Sequence, residues 1–226
     1  MNQTLPKRLA AEAVGTAMLL AAVVGSGIMG ERLAAGNVAL ALLANSIATG
    51  AVLAALILTF GSVSGAHFNP AVTLVSALQK EIIWSEVLCY IGSQIIGALA
   101  GVAIAHVMFA APLFSASSHT RRGVDQLFAE FIATFGLLAV IRGCAKYGIP
   151  AISLAVAAYI TGAYWFTGST SFANPAVTIG RTLTDTFSGI RPIDAPGFIC
   201  AQFVGALTAT IFFRWLDPQT SAGHYK

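Results

Sequence analysis

The chain contains the stretch Ser171-Phe172-Ala173-Asn174-Pro175-Ala176-Val177-Thr178-Ile179-Gly180-Arg181, and its central pentapeptide, Asn-Pro-Ala-Val-Thr, is repeated letter for letter from Asn69 to Thr73. Each copy is typical of a helix start, because asparagine caps free backbone N–H groups and proline favours the first helical position. Two copies of one unusual pentapeptide indicate a duplicated chain. Both copies lie in apolar sequence, where a helix start needs an explanation.

The composition predicts an integral membrane protein. Of the 226 residues, 57% are hydrophobic and 9% are charged, whereas soluble domains carry about 25% charged residues. The long uncharged runs reach the ~20 residues of a membrane-spanning helix and lack the alternation of barrel strands. We therefore expect an all-α membrane protein with several spans.

Six apolar runs predict six spans, at about 9–29, 38–60, 83–109, 127–141, 149–166 and 197–216. Two further segments are too rich in glycine, serine and proline to span a membrane. Each predicts a re-entrant loop with a half helix, from 70 to about 78 and from 175 to about 183. Arg142 and Lys146 are expected in a polar connection after the fourth span.

The repeat extends beyond the pentapeptide. Glu12 in the first span matches Glu130 in the fourth, and Gln94 in the third matches Gln202 in the sixth. We expect one domain, 1–226, built from repeats at about 1–110 and 126–226. Because each repeat holds three spans, the second enters the membrane from the opposite side, which gives inverted repeats whose half helices point at each other.

Two half helices that meet at the membrane midplane predict a path through the protein. Irregular backbone at that depth is tolerated only inside protein or beside a water-filled cavity. The helix N-termini carry partial positive charge, which repels cations. Asn69 and Asn174 can each direct an amide N–H at a passing oxygen, which suits water or a neutral hydroxylated solute.

The two motifs resemble those of the aquaporin and aquaglyceroporin family, the major intrinsic proteins. The resemblance rests on residues 64–73, which include Asn69, Pro70 and Ala71, and on Asn174, Pro175 and Ala176. It implies a right-handed bundle of six transmembrane helices plus two re-entrant half helices. It also implies passive conduction of water, glycerol or similar solutes by a homotetramer in a lipid bilayer, with one pore in each protomer.

The chain departs from the family pattern at the residue that follows the second motif. Most members have an arginine there, which narrows the selectivity filter, but this chain has Val177. The other positions that the resemblance assigns to the filter are Thr49, Ile160 and Ser171. A wide, uncharged filter of this kind resembles bacterial aquaglyceroporins associated with arsenic resistance, which implies arsenite and methylated arsenicals as solutes.

Arg181 has two interpretations. It follows Val177 by four residues, so it shares a helix face with Val177 one turn further out, where it could line a vestibule. It could instead pair with Asp185 and end the half helix.

Three other polar residues are expected at or near the pore. Glu12 and Glu130 are predicted to accept N–H bonds from the re-entrant loops, although a carboxylate inside a membrane is by default a functional candidate. The His67 ring could line the pore, or it could pack away from the pore while its backbone carbonyl lines it. Tyr164 and its neighbours could line a permeation path, but an interfacial aromatic belt is favoured.

The distribution of basic residues favours a cytoplasmic location for both termini. Seven basic residues, including Lys226, then lie inside and five lie outside, as the positive-inside rule requires. We expect the inner membrane of a bacterium.

The sequence contains no pattern typical of an enzyme, a metal site, a cofactor site or a nucleic-acid interface. Its cysteines and histidines lack metal-ligand spacing, and its basic residues are scattered. Three alternatives to a metalloid channel remain open. They are a water and glycerol facilitator, a secondary active transporter that uses Glu12 and Glu130, and a non-conducting scaffold.

Overall fold

The computed structural model describes residues 3–216, so the expected polar tail with Lys226 lies outside the described part. Eight α-helices follow one another along this range: α1 (Leu5–Leu33), α2 (Val38–Ser64), α3 (Pro70–Leu78), α4 (Trp84–Met108), α5 (Val124–Cys144), α6 (Gly148–Phe166), α7 (Pro175–Arg181) and α8 (Ala195–Leu216). The fold is all-helical, with six long helices and two short ones, as the sequence predicts.

The six long helices correspond to the six expected spans. Five apolar segments are long enough to cross a membrane, and one of them, Val124–Phe166, contains both α5 and α6. A 3-10 turn at Ala145–Tyr147 separates these two helices. Arg142 lies in the last turn of α5, so its expected place in a polar connection is wrong. Helix α5 thus extends about three residues past the expected end, to Cys144, and Lys146 lies in the 3-10 turn that connects it to α6. The Arg142 side chain forms an ion pair with Glu81.

Both half helices begin where the asparagine and proline predict. The Asn69 side chain accepts from the N–H of Ala71, and that of Asn174 accepts from Ala176 and Val177. Helix α3 ends at Leu78 as expected.

Helix α7 ends at Arg181, two residues before the expected end. It stops there because the carbonyls of Thr182 and Leu183 accept from the N–H groups of Ser117 and Ser115. These carbonyls thus bond to the connection between α4 and α5 rather than to a further turn of α7.

The two halves of the chain pack in corresponding ways. Helix α1 packs on α2 and α4, while α5 packs on α6 and α8. A Cβ atom added at Gly97 would lie 2.3 Å from the Ala13 carbonyl oxygen, and one at Gly205 would lie 2.4 Å from that of Phe131. Glycine at these matched positions permits the close approach of helices that is common in membranes.

The two halves differ beside the first re-entrant loop. A Cβ at Gly15 would lie 2.0 Å from a ring carbon of Phe68, whereas the corresponding residues of the second half are Ala133 and Ala173. We expect Gly15→Ala to destabilise the protein by about 1–3 kcal/mol, because the core must accept an extra methyl group against a ring. Thermal unfolding in detergent measures this loss.

Two companion variants make the Gly15 result specific. Gly92→Ala is the matched control, since a Cβ there meets nothing within 4 Å and alanine favours the helix. In a Phe68→Ala background, Gly15→Ala should no longer lower the stability. An equal loss in both backgrounds would show that Phe68 is not the cause.

Candidate functional site

A cavity of about 750 Å³ lies between the two half helices. Residues of α2, α5 and α6 and of both re-entrant loops line it. We call one end the α7 half, lined by Thr49, Tyr164, Ser171, Val177 and Arg181. The other end is the α3 half, lined by His67, Val72, Gln79, Glu81 and Arg142.

Asn69 and Asn174 join the two re-entrant loops at the centre of the cavity. The Asn69 amide nitrogen donates to the Ala173 carbonyl at 2.8 Å, and that of Asn174 donates to the Phe68 carbonyl at 2.8 Å. Each amide oxygen meanwhile caps its own helix. A carboxamide has two N–H donors, so each asparagine keeps one donor that a solute in the cavity can use.

The re-entrant loops share an unusual backbone conformation. Ala66 and Phe68 have φ values of 49°, and Ser171 and Ala173 have values of 51° and 49°. In each loop, one of the two positions lies three residues before the asparagine and the other lies directly before it. The left-handed region costs a non-glycine residue roughly 1–2 kcal/mol, so the loops need outside support.

Glu12 and Glu130 supply this support through matched hydrogen bonds. Glu12 accepts from the N–H groups of His67 at 3.0 Å and Phe68 at 2.7 Å. Glu130 accepts from those of Phe172 and Ala173, both at 2.9 Å. Both carboxylates are fully buried and lie outside the cavity lining, which separates them from the path of a solute.

Two glutamines complete these networks. The Gln94 amide nitrogen donates to Glu12 and to the Thr73 hydroxyl, each at 2.8 Å. Gln202 donates to Glu130 at 2.6 Å and to the Thr178 hydroxyl at 2.9 Å. Each network therefore ties a half helix to two long helices.

The structure brings all four expected filter residues to the same cavity. Thr49, Ile160, Ser171 and Val177 are each buried and line it. The Ser171 hydroxyl is buried without a hydrogen-bond partner in the described residues. The oxygen atom itself is closed off from solvent, so Ser171 borders the cavity with its other atoms.

Tyr164 is an addition to this set. It is 3% exposed, and its hydroxyl lies 3.2 Å from that of Thr49. The favoured place in the interfacial belt is therefore wrong, and the alternative of a residue beside the path agrees with its position in the cavity lining. Helix periodicity places Tyr164 one turn beyond Ile160 on the same face, a signal that could have found it.

Arg181 is buried beside the cavity and does not pair with Asp185. Its Nε atom donates to the Ser188 carbonyl, and its guanidinium carbon lies 3.4 Å from the centroid of the Phe172 ring. Asp185 instead accepts from the backbone N–H and the hydroxyl of Ser118. The expected i,i+4 pair fails because the chain turns away from the helix axis after Arg181.

The cavity is also lined by His67. Its Nδ1 atom lies 3.1 Å from the Thr73 hydroxyl, and its ring centroid lies 5.4 Å from that of Tyr90. The ring thus packs against Thr73 and Tyr90, and both sequence interpretations of how His67 lines the pore stay predictions.

Sequence reasoning missed the ion pair at the α3 end of the cavity. Arg142 Nη1 lies 2.9 Å from a Glu81 oxygen, and both residues line the cavity. The two residues are 61 positions apart, and the sequence pattern carries no signal that joins them. Within residues 3–216, no cluster of three or more histidine, cysteine or acidic residues could hold a metal ion.

Asp194 holds together the connections that cover the α7 half. It accepts from the backbone N–H of Arg121 at 2.9 Å and from the Arg191 guanidinium at 3.0 Å. The hydrogen bonds from Arg191 are the main reason that the pKa of Asp194 lies below its ordinary value.

The lowered pKa predicts a pH-dependent contribution to stability. A carboxyl group whose pKa falls on folding stabilises the protein above its unfolded pKa of about 4 and loses this effect as pH falls through its folded pKa. We expect Asp194→Asn to lower the free energy of unfolding by about 1 kcal/mol at neutral pH, after allowance for solvent screening. Unfolding measured from pH 7 to pH 2 should show the difference shrinking at low pH. A difference independent of pH would contradict this role.

Comparisons with known proteins agree with this geometry. A family model described as major intrinsic protein matches residues 2–147. Aquaglyceroporin AqpS of Rhizobium meliloti (strain 1021) is 51% identical over 212 residues, which cover 94% of this chain and 91% of that protein. Probable aquaporin AqpM of Archaeoglobus fulgidus is 32% identical over an alignment 248 residues long, which covers 97% of this chain and 100% of that protein.

A solved structure shows the same fold. The X-ray structure of the aquaglyceroporin from Plasmodium falciparum matches with a TM-score of 0.76 at 20% identity, and the match covers 97% of this chain and 100% of that one. At this identity the likeness concerns the fold alone. The family model and the two relatives carry the assignment of the family. The chain therefore belongs to the major intrinsic protein family, and it is an integral membrane protein that acts as a passive channel rather than an enzyme.

Proposed function

We propose that the channel conducts arsenite and methylated arsenicals, with glycerol and water as further solutes. The observation that carries this proposal is Val177, a neutral residue that lines the cavity where most of the family has an arginine. Without a guanidinium at this position, the cavity is wider and carries no fixed charge there. A bulky neutral solute can then pass.

The chemistry of the four filter residues suits such solutes. Ile160 and Val177 offer apolar surface to a methyl group, Thr49 offers a hydroxyl group to the As–OH groups, and the small Ser171 side chain leaves the path wide. Glycerol presents the same mixture of hydroxyl groups and carbon.

We further propose that the protein is a homotetramer in the bacterial inner membrane, with both termini cytoplasmic and the α7 half of the cavity outside. The many exposed apolar side chains of the long helices, such as Leu88 at 80% and Ile211 at 69%, supply surface for lipid or for neighbouring protomers. The mass of the detergent-solubilised complex tests the tetramer.

Reconstitution tests the proposed solutes. Vesicles that contain the protein should take up arsenite, a methylated trivalent arsenical, glycerol and water faster than protein-free vesicles, and they should exclude sucrose. If water and glycerol enter but neither arsenical enters above the protein-free rate, the metalloid proposal fails and the water and glycerol facilitator stands. Arsenical accumulation against a gradient would contradict passive conduction.

A further inference from the structure

We propose that Arg181 excludes cations from the pore, and that its position one turn beyond Val177 separates the selection of charge from the selection of size. The inference rests on the proposed pore, but it concerns a residue outside the four-residue filter. It makes Arg181 a determinant of specificity rather than a residue that ends α7.

The Arg181 guanidinium faces the cavity with donors to spare. The side chain is 2% exposed and lines the cavity. Its Nε atom donates to the Ser188 carbonyl, and its two terminal nitrogens have no hydrogen-bond partner among residues 3–216. They are also not among the polar atoms sealed from solvent in that range. Because a buried guanidinium without hydrogen-bond partners is costly, we expect water in the cavity to hydrate these two nitrogens.

The charge of Arg181 is held in place but not neutralised. Phe172 stacks on the guanidinium, and Phe198 packs against Phe172 with ring centroids 5.2 Å apart. A second guanidinium, that of Arg121, lies 5.1 Å from the centroid of the same Phe172 ring. In the described part of the chain, Arg181 takes part in no salt bridge. The buried Glu130 carboxylate attracts both guanidinium groups but forms an ion pair with neither. A cation that enters this half therefore meets a net positive charge.

The geometry separates this charge from the narrow part of the cavity. Val177 and Arg181 share one face of α7, about 6 Å apart along its axis. The four predicted filter residues are all neutral. Among described cavity-lining residues, the other charged side chains are Lys80, Glu81 and Arg142, which belong to the α3 half. Val177 is smaller than the arginine that most of the family has at this position, so the filter is wider. Arg181 supplies a positive charge one turn away.

Arg181→Met tests the proposal, because methionine keeps an unbranched stem and removes the charge. In reconstituted vesicles we expect potassium permeability to rise about tenfold or more, while the ratio of glycerol to water permeability stays within about twofold of the wild-type ratio. Arg122→Met is the matched control, since Arg122 is exposed and lies outside the cavity lining. It should leave both measurements unchanged.

Arg181→His provides a test within one folded protein. An imidazole is neutral near pH 8 and gains its charge at lower pH, and burial beside Arg121 disfavours the charged ring. Potassium should therefore leak at pH 8, and the leak should decrease as the pH falls towards about 4.5. Water permeability should be the same at both pH values, which shows that the protein remains assembled. Wild-type protein is the control for other titrating groups. This variant decides the matter if Arg181→Met fails to assemble.

Two results would overturn the inference. One is a potassium permeability that stays at the wild-type level in Arg181→Met and in Arg181→His at high pH, while water still passes. The other is a changed ratio of glycerol to water permeability in Arg181→Met, which would place Arg181 in the size filter. Wild-type vesicles that pass no neutral solute would instead contradict the proposed function, whatever the potassium result.

Discussion

Replacing Glu130 by glutamine is expected to remove most of the folded, conducting protein. The Glu130 carboxylate accepts from the N–H groups of Phe172 and Ala173 and from the Gln202 amide. A glutamine side chain has only one oxygen for these three donors. Its NH2 group would face the remaining donors, with which it cannot form hydrogen bonds. Losing two charge-assisted hydrogen bonds costs roughly 3–6 kcal/mol, which approaches the total stability of a typical domain, about 5–15 kcal/mol.

Thermal unfolding in detergent and water permeability of reconstituted vesicles measure this effect. Asp125→Asn is the matched control, because it makes the same chemical change at an exposed position in the same helix. Glu12→Gln should reproduce the loss, since Glu12 holds the first loop in the same way. Wild-type melting and permeability in Glu130→Gln would show that the carboxylate does not support the loop.

Val177→Arg is expected to close the pore to large solutes and leave it open to water. The new guanidinium would enter the cavity beside Thr49 and Ile160, one turn from Arg181. Because the two guanidinium groups repel each other, the new side chain would point away from Arg181 and lie across the path. We expect glycerol and methylated arsenical permeabilities to fall about tenfold or more, and water permeability to change by less than about threefold.

Two further variants separate the effects of charge, bulk and folding. Val177→Leu adds volume without charge and should produce a smaller loss. Val124→Arg makes the same substitution at a helix start that is 83% exposed and outside the cavity lining, so all permeabilities should stay at the wild-type level. Unchanged entry of glycerol and arsenicals in Val177→Arg would mean that Val177 does not form the filter.

The centre of the protein could be predicted from local sequence. Asn69-Pro70 and Asn174-Pro175 define both half-helix starts, because capping and the fixed proline φ act within a few residues. The matched pairs Glu12 with Glu130 and Gln94 with Gln202 identify the residues that carry the buried networks. A carboxylate in an apolar helix must find hydrogen-bond donors, and the re-entrant loops are where free N–H groups occur.

The tertiary structure alone decided the contacts between distant segments. From the sequence, Arg181 could either pair with Asp185 or line a vestibule. Its actual partners are Ser188 and Phe172, which a turn of the chain brings to the guanidinium. Tyr164 meets Thr49 across 115 residues, and Arg142 meets Glu81 across 61. Composition and periodicity show which residues must be buried, because those rules act locally. Which buried residues meet is set by the packing of whole helices, and this packing determines the shape and charge of the pore.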